Sequence, residues 1–473
     1  MSRRRKKIVS VAVLLAGFLL TLPVRAQFFK QTNLVSDISG MAVVQDSNLV
    51  NPWGVSHSNG SPFWVSDAGK SVATLYSVNP TTGAVTANSL IVNVPVPSGQ
   101  MFNGVATDFT VTSGTSSGAS VFLFAGLNGN IYGWSPGVPP PAPSHQAQLG
   151  ATGSMPAAYT GLALGLRSGV QFLYAANAAG NRIDVWDHTF AKATLPGTFT
   201  DPNLPAGLVP FNIANINGDL YVSYTPTNPE AVGSGAINVF NTDGNFIKRF
   251  ATGGTLLDPW GMAVAPADFG KFSNALLVGN FNTGIAASGP GNISAFSLAP
   301  GADNGKFLGL LEGTDGKPLS IDGLWTLIFG NDKAGGNSSV LYFSAGIQAQ
   351  QHGLFGSLST CHGPVISGAS ASPNVLWPPN NKFVHVTIGY SVSDDCDAAP
   401  ACSLSVTAAD SGGGINNTAD SSIVVDAHRV ELRASRNGGG DGRLYTVEIS
   451  CKDKLPLSSS VTVTVTVPHD QGH

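Results

Sequence analysis

One short pattern recurs six times along this chain and restricts its possible folds more than any other feature. Each copy begins with a small or aromatic residue followed by apolar ones: Trp53-Gly54-Val55, Asn103-Gly104-Val105, Thr160-Gly161-Leu162, Phe211-Asn212-Ile213, Trp260-Gly261-Met262 and Trp325-Thr326-Leu327. Successive copies lie 50, 57, 51, 49 and 65 residues apart. A second apolar run follows each, from Phe63-Trp64-Val65 to Leu341-Tyr342-Phe343. A third run ends on an aromatic residue: Tyr76, Trp134, Trp186, Phe240, Phe296 and Phe355. Short strands and Gly-rich turns repeating every ~40–50 residues predict a β-propeller, six-bladed by this count. Each blade is expected to hold four strands, the first lining a central channel. The last copy runs directly into a cysteine-bearing region. Its fourth strand is therefore expected from the N-terminus, around Phe29 to Val35, where it pairs an otherwise open edge.

The two ends differ in texture from this repeat region. Residues 1–26 read as an export signal: Arg3, Arg4, Arg5, Lys6 and Lys7, an apolar stretch from Ile8 to Leu22, and Val24-Arg25-Ala26 before a cleavage point at Gln27. The apolar stretch is short for a membrane span, which needs ~20 residues. No second stretch of that length follows, so a secreted, periplasmic or cell-surface location is expected. All four cysteines, Cys361, Cys396, Cys402 and Cys451, lie in the last quarter. An even count in an exported chain reads as two disulfides, with three connectivities open. Around them, Val384-His385-Val386-Thr387-Ile388, Val424 to Leu432, Tyr445 to Ile449 and Val461 to Val467 alternate with the period of half-buried strands. The expected order is a signal peptide (1–26), a six-bladed propeller (27–360) and an immunoglobulin-like β-sandwich (361–473), an all-β chain.

Charge restricts the partners. Six of the 24 basic residues lie in the signal and none of the 28 acidic ones, leaving a net charge of −10 after cleavage. Such a chain lacks the basic footprint that nucleic acid requires. Charged residues make up only 11% of the sequence, against about 25% in ordinary soluble proteins. Gly, Asn, Ser and Thr take their place, as tight turns demand.

In a propeller, the loops entering the inner strands and those joining second to third strands open on one face. The first set contributes Asn51, Asn103, Asn212, Asp258 and Asp322; the second contributes Asp67, Asn128, Asn177, Asn181, Asn280 and Asn282. Amide and carboxylate oxygens suit a hard cation such as Ca2+ or a polar ligand such as a glycan. Turn formation alone also accounts for these residue types. Trp53, Trp260 and Trp325 recur at one position of the repeat, either as stacking platforms or as packing wedges. His352 precedes a strand, where it could face the channel mouth, and His57 stands on the first inner strand. The repeat region holds only two glutamates, Glu230 and Glu312. The chain contains no His-Glu-x-x-His pair. Asp394-Asp395-Cys396-Asp397 reads as a solvated turn or a calcium site between modules.

Asn33-Leu34-Val35-Ser36-Asp37, Asn48-Leu49-Val50-Asn51-Pro52-Trp53-Gly54, Leu256-Leu257-Asp258-Pro259-Trp260-Gly261 and Gln351-His352-Gly353-Leu354-Phe355-Gly356 resemble an uncharacterised group of exported bacterial proteins, some carrying PEP-CTERM sorting tails. The resemblance covers roughly residues 30–360 and implies a propeller related to NHL-repeat proteins, with no established activity. Pro468 to His473 differ from those sorting tails. Leu376-Trp377-Pro378-Pro379-Asn380 and Asp441 to Val447 resemble bacterial immunoglobulin-like modules that act as spacers or adhesion units. A second similarity is to calcium-dependent lactonases of the gluconolactonase and regucalcin type, which surround an axial metal with a glutamate, asparagines and an aspartate. Asn103, Asn177, Asn212, Asn280 or Asp322 could serve here, although no glutamate begins the first blade.

The expectation is a monomeric, non-catalytic binding protein with no cofactor, Ca2+ being the one candidate. Its partner is an extracellular ligand, glycan or envelope protein, and its binding face holds Asn51, Trp53, Asp67, Asn103, Asn177, Asn212, Asp258, Trp260, Asn280, Asp322, Trp325 and His352. A calcium-dependent lactonase-like hydrolase and a structural envelope or matrix component are the alternatives.

Overall fold

The computed structural model describes residues 27–227, 235–281, 291–410, 414–415 and 420–470. The expected signal and its cleavage point, and with them Glu230 and Asn282, lie outside the described residues. The architecture is all-β, built of many small antiparallel sheets. No described helix is long and apolar enough to cross a membrane.

Six of these sheets follow one another along residues 27–360. The first is formed by Pro52–Ser56, Phe63–Asp67, Val72–Val78 and Val85–Ala87, and the second by Pro97–Phe102, Phe122–Gly126, Asn130–Trp134 and Gln148–Thr152. The third has only Tyr159–Arg167, Val170–Asn177 and Arg182–Asp187. Its expected fourth strand is reduced to a single bridge between Trp186 and Lys192. The fourth comprises Leu208–Ile216, Asp219–Pro226, Ala236–Phe240 and Phe246–Thr252, and the fifth Pro259–Val264, Leu276–Asn280, Ile293–Phe296 and Phe307–Leu310. In the sixth, Leu324–Phe329, Leu341–Ala345 and Leu354–Thr360 are completed by the N-terminal strand Phe28–Ser36. That strand runs antiparallel to Leu354–Thr360, with Phe29 opposite Thr360 and Ser36 opposite Leu354. The expected N-terminal pairing is thus present.

Each pair of neighbouring sheets shares one apolar core. Trp64 of the first packs with Phe122 and Trp134 of the second, Leu123 of the second with Leu173 and Trp186 of the third, and Tyr174 of the third with Phe240 of the fourth. Ile237 packs with Leu276 between the fourth and fifth sheets, and Leu277 with Phe343 between the fifth and sixth. The sixth then packs on the first through Leu34, Phe355, Phe63 and Tyr76. All six aromatic residues that end the third runs are buried in these cores. Their period in the sequence reflects this repeated demand for a large side chain between two sheets.

The first strands of the sheets also meet side by side, and here a side chain is costly. A Cβ on Gly54 would fall 2.5 Å from the carbonyl oxygen of Ser98 on the next first strand, and one on Gly261 would fall 2.4 Å from that of Trp325. Where the repeat lacks glycine, a polar side chain bridges the gap. Asn212 Nδ2 donates to Trp260 O at 2.6 Å, and Thr326 Oγ1 donates to Trp53 O at 2.7 Å. The register of the second copy must be corrected. Its first strand is Pro97–Phe102, so Ser98-Gly99-Gln100 holds the repeated position and Asn103 follows the strand. Polar Gln100 stands where the other copies are mostly apolar, and Gly104-Val105 imitates the pattern.

Residues after 360 form two further sheets around a separate core. Val365–Ser372, Phe383–Ser393, Arg429–Arg433 and Ser422–Asp426 make one, while Gly414–Ile415, Ala401–Asp410, Gly442–Lys452 and Ser458–Pro468 make the other. Val386, Ile388 and Leu432 meet Tyr445, Val447 and Val465 between them. The run Val424 to Leu432 is not one strand but a hairpin that turns between Asp426 and Arg429. The disulfides are Cys361–Cys396 and Cys402–Cys451. The second joins directly opposed residues of neighbouring strands. The first packs with Phe28, Leu455 and Leu457, tying the tail to the N-terminal strand.

Candidate functional site

Asn51 and Asp258 occupy equivalent positions, each one residue before a Pro-Trp-Gly sequence. Both take left-handed backbone, with φ of 48° and 49°, a conformation Asn and Asp tolerate better than most residues. Asn51 O accepts from Ala68 N at 3.2 Å and Asp258 O from Phe281 N at 3.0 Å, so each turn is tied to the end of its sheet's second strand. This geometry delivers Trp53 and Trp260 into one cluster with Trp325.

The three indoles are packing elements, not an open platform. Trp325 is only 1% exposed; it stacks on Trp53 at 3.6 Å and on Phe281 at 3.9 Å, and meets Trp260 edge-on at 5.7 Å. Trp260 Nε1 donates to Thr160 O at 2.8 Å. Trp53, Trp260 and Trp325 therefore leave the expected binding face, because contact with one another removes their faces from solvent.

The second set of turn residues is also buried. Asn177 Oδ1 accepts from Ala158 N and Gly180 N, while its Nδ2 donates to Asp184 Oδ2 at 2.8 Å. Asn280 Oδ1 accepts from Leu257 N at 2.9 Å, and its Nδ2 donates to Asn292 Oδ1 at 2.9 Å. These amides hold the loop entering their own sheet's first strand. Asn212 is spent on Trp260, and Asn103 Nδ2 donates to Val105 O, Asp108 O and Ser120 O. Asp258 accepts from the Thr225 hydroxyl. None of Asp67, Asn103, Asn177, Asn212, Asp258 and Asn280 offers an exposed side chain. An asparagine that satisfies buried backbone groups has the same sequence signature as one that faces solvent. Asn128 donates to Tyr132 OH at 2.8 Å, and Asn181 takes left-handed backbone at φ 48°.

Asp67 is the anomaly among them. It occupies the position of Asn177 and Asn280 at the end of a second strand, fully buried, and accepts only from Thr74 Oγ1 at 2.7 Å. Its Oδ1 has no hydrogen-bond partner among the described residues, as is also true of Asp258 Oδ2. Burial lifts this carboxyl well above the usual carboxylate range; the Thr74 hydroxyl opposes the lift and the charge of Asp46 adds to it. A raised folded-state pKa gives stability that is complete below the unfolded value of about 3.9 and is lost as pH rises through the folded value. Asp67→Asn, which installs the residue the third and fifth sheets use, is therefore expected to stabilise the protein at pH 8 by about 1–3 kcal/mol. The gain should shrink toward pH 4. Thermal melts of both proteins at pH 4, 6 and 8 measure it, and a gain independent of pH would remove the ionisation argument.

The expected residues that do reach solvent gather around the start of the sixth sheet's third strand. Asn51 Nδ2 donates to Gln350 Oε1 at 3.2 Å and Asn51 Oδ1 accepts from Trp325 Nε1 at 3.4 Å. Exposed Asp322 accepts from Gln348 N at 2.6 Å. His352 Nδ1 lies 2.7 Å from Asp37 Oδ2, and Asp37 Oδ1 accepts from Gly353 N at 2.9 Å. Between them Gln348, Ala349 and Gln350 have φ of 52°, 56° and 64°, a turn of left-handed helix without a glycine. Left-handed backbone costs roughly 1–2 kcal/mol per ordinary residue. Gln348 and Gln350 carry no signal in the sequence, and Asp37 appears there only as the end of the Asn33–Asp37 motif. His57 lies apart, its ring nitrogens 2.9 Å from Ser58 O and 2.8 Å from Phe329 O.

Where the first strands converge, a cavity of about 100 Å³ is lined by Gln100, Asn212, Thr326, Trp260 and apolar groups such as Met101 and Met262. No carboxylate or imidazole is among its lining residues. Among the described residues, no three His, Cys, Asp or Glu side chains are grouped to hold a metal. In the tail, Asp394 Oδ1 accepts from Cys396 N and Asp397 N, the arrangement of a self-capped turn.

No family model matches the chain. It is 30% identical over 343 residues to the uncharacterized protein L690 of Acanthamoeba polyphaga mimivirus, an alignment spanning 70% of this chain and 85% of the relative. The chain belongs to the family of that mimivirus protein. A second relative, the uncharacterized protein R648 of the same virus, is 29% identical over 343 residues, covering 70% of this chain and 80% of its own. Among solved structures, a structural genomics protein of unknown function from Bacteroides thetaiotaomicron aligns with TM-score 0.41 and 10% identity, over 71% of this chain and 76% of that one. The Cps50 (Swd1) β-propeller domain of Myceliophteria thermophila aligns with TM-score 0.36 and 11% identity, over 69% and 99%.

Proposed function

We propose that this chain is an exported, non-catalytic binding protein. In this reading the six sheets are the blades of a closed β-propeller (27–360), and an immunoglobulin-like sandwich (361–473) serves as spacer or attachment module. The cyclic order of packing, with the sixth sheet on the first, supports the closed ring. The ligand or extracellular partner binds at the mouth formed by Asn51, Asp322, Gln348, Gln350 and His352. One observation carries this reading above the others: the left-handed turn from Gln348 to Gln350. Three adjacent non-glycine residues in that region hold two amides in solvent beside Asp322, and such strain concentrates at ligand clamps. The aromatic plug beneath gives the mouth a rigid floor.

The test compares the full chain with its Asp322→Ala/Gln350→Ala variant on a glycan array and in pull-downs from envelope extracts. Species retained by the parent and lost by the variant, at unchanged melting temperature, are the expected result. Identical retention by both proteins would remove the mouth as the binding site.

A further inference from the structure

Away from the mouth, a groove of about 600 Å³ runs along the outer part of the sixth sheet, from the turn at Asn79–Gly83 to the junction with the tail. Its volume falls within the range of small-molecule sites. One wall is the face of two paired strands on which Thr32 stands opposite Ser357 and Lys30 opposite Ser359. The hydroxyls of Thr32, Ser357 and Ser359 are half-buried and engage no other protein group among the described residues. Each can both donate and accept.

The charged groups at the rim each have a hydrogen-bond partner within the protein. Lys30 Nζ donates to Asp395 O at 2.8 Å. Asp395 clamps His362 through its Nδ1 at 2.7 Å and its backbone N at 3.1 Å. Asp268 accepts from Ser339 Oγ at 2.6 Å. With one lysine set against two aspartates, the groove presents no field of one sign to attract a polyanion or a polycation. Its apolar lining residues are Leu34 and Val78, both buried, and the half-buried Val340.

We infer that this groove is a second binding site, distinct from the mouth, for a neutral polyhydroxylated ligand of the oligosaccharide class. Free hydroxyls on one strand face match vicinal ring hydroxyls, which can exchange hydrogen bonds with them as water does. The half-buried Val340 offers apolar surface to the C–H face of a sugar ring. Where the tail packs on Phe28 through Cys361, Leu455 and Leu457, it brings His362 and Asp395 to the groove's end. The ligand therefore contacts both parts of the chain.

Isothermal titration of the full chain with cellohexaose, laminarihexaose and chitohexaose tests this. At least one is expected to bind with a millimolar or tighter dissociation constant. The Ser357→Ala/Ser359→Ala variant, which keeps the strands intact, should weaken that binding at least tenfold. Ser359→Trp, which fills the groove, should abolish it, while Asp322→Ala at the mouth leaves it unchanged. Failure of all three sugars to bind at millimolar concentration would overturn the inference. Binding that survives the alanine pair would overturn it too. Loss caused only by Asp322→Ala would assign the sugar to the mouth instead.

Discussion

Replacing Trp325 by alanine is expected to destabilise the six-sheet region by about 3–5 kcal/mol, the cost of emptying a large aromatic site in a packed core. The side chain is stacked on both faces, by Trp53 at 3.6 Å and Phe281 at 3.9 Å, and its edge meets Trp260 and Phe211. These rings come from different sheets, so neighbours can close the cavity only if several first strands shift together. Trp325 Nε1 also bonds Asn51 Oδ1, so the loss should loosen the mouth as well. Chemical denaturation followed by near-ultraviolet circular dichroism measures the effect. The tail has its own core, so its transition should stay in place and act as an internal control. Trp325→Phe should recover part of the loss because a ring still fills the stack. A transition of the six-sheet region within about 1 kcal/mol of the parent would mean that the aromatic cluster is not a packing element.

The second large effect concerns residues 27–36. Deleting them removes the outer strand of the sixth sheet and uncovers the row from Leu354 to Thr360. It also withdraws Phe29, Leu34 and Val35, all buried, from two cores. Burying side chains of this kind contributes about 1.5–3 kcal/mol each. The lost total approaches the ~5–15 kcal/mol net stability of a typical domain. Gln27 adds a further tie, donating to Phe269 O at 2.9 Å and accepting from Lys271 N at 2.7 Å. The truncated chain is expected to aggregate through its exposed strand edge, or to remain unfolded over the six-sheet region. Size-exclusion chromatography and far-ultraviolet circular dichroism decide between these outcomes. A synthetic peptide of residues 27–40 should restore a folded monomer. A truncated protein that is monomeric and melts like the parent would show that the N-terminal strand is dispensable.

The sequence by itself determined the repeated elements. Gly54, Gly161 and Gly261 after their leading residues, the aromatic end of each third run and the pairing partner around Phe29 to Val35 were all legible. The requirement behind each recurs at every sheet: close approach of first strands, one large side chain between sheets, one edge to be paired. A period survives in sequence when the same physical demand is made repeatedly. It failed where one copy met the demand differently. Gln100 replaced an apolar residue and reached back to Gly54 O and Trp64 O, so the second repeat was set at Asn103 instead of Ser98. In the third sheet a single bridge at Lys192 took the place of a strand.

Side-chain direction was decided only by the tertiary structure. Asp67, Asn177 and Asn280 read as ligands for something in solvent, yet they are buried to satisfy turns or a single hydroxyl. Asn51, Asp322 and His352 read the same way and do reach the surface. The left-handed turn at Gln348–Gln350 has no glycine to announce it. The pairing of the four cysteines and the groove beside Lys30, Ser357 and Asp395 depend on contacts between segments more than 30 residues apart. Local pattern fixes which strands form, because backbone and burial preferences act within a few residues. Which polar groups are left for a ligand depends on distant chain segments that either consume them or leave them free.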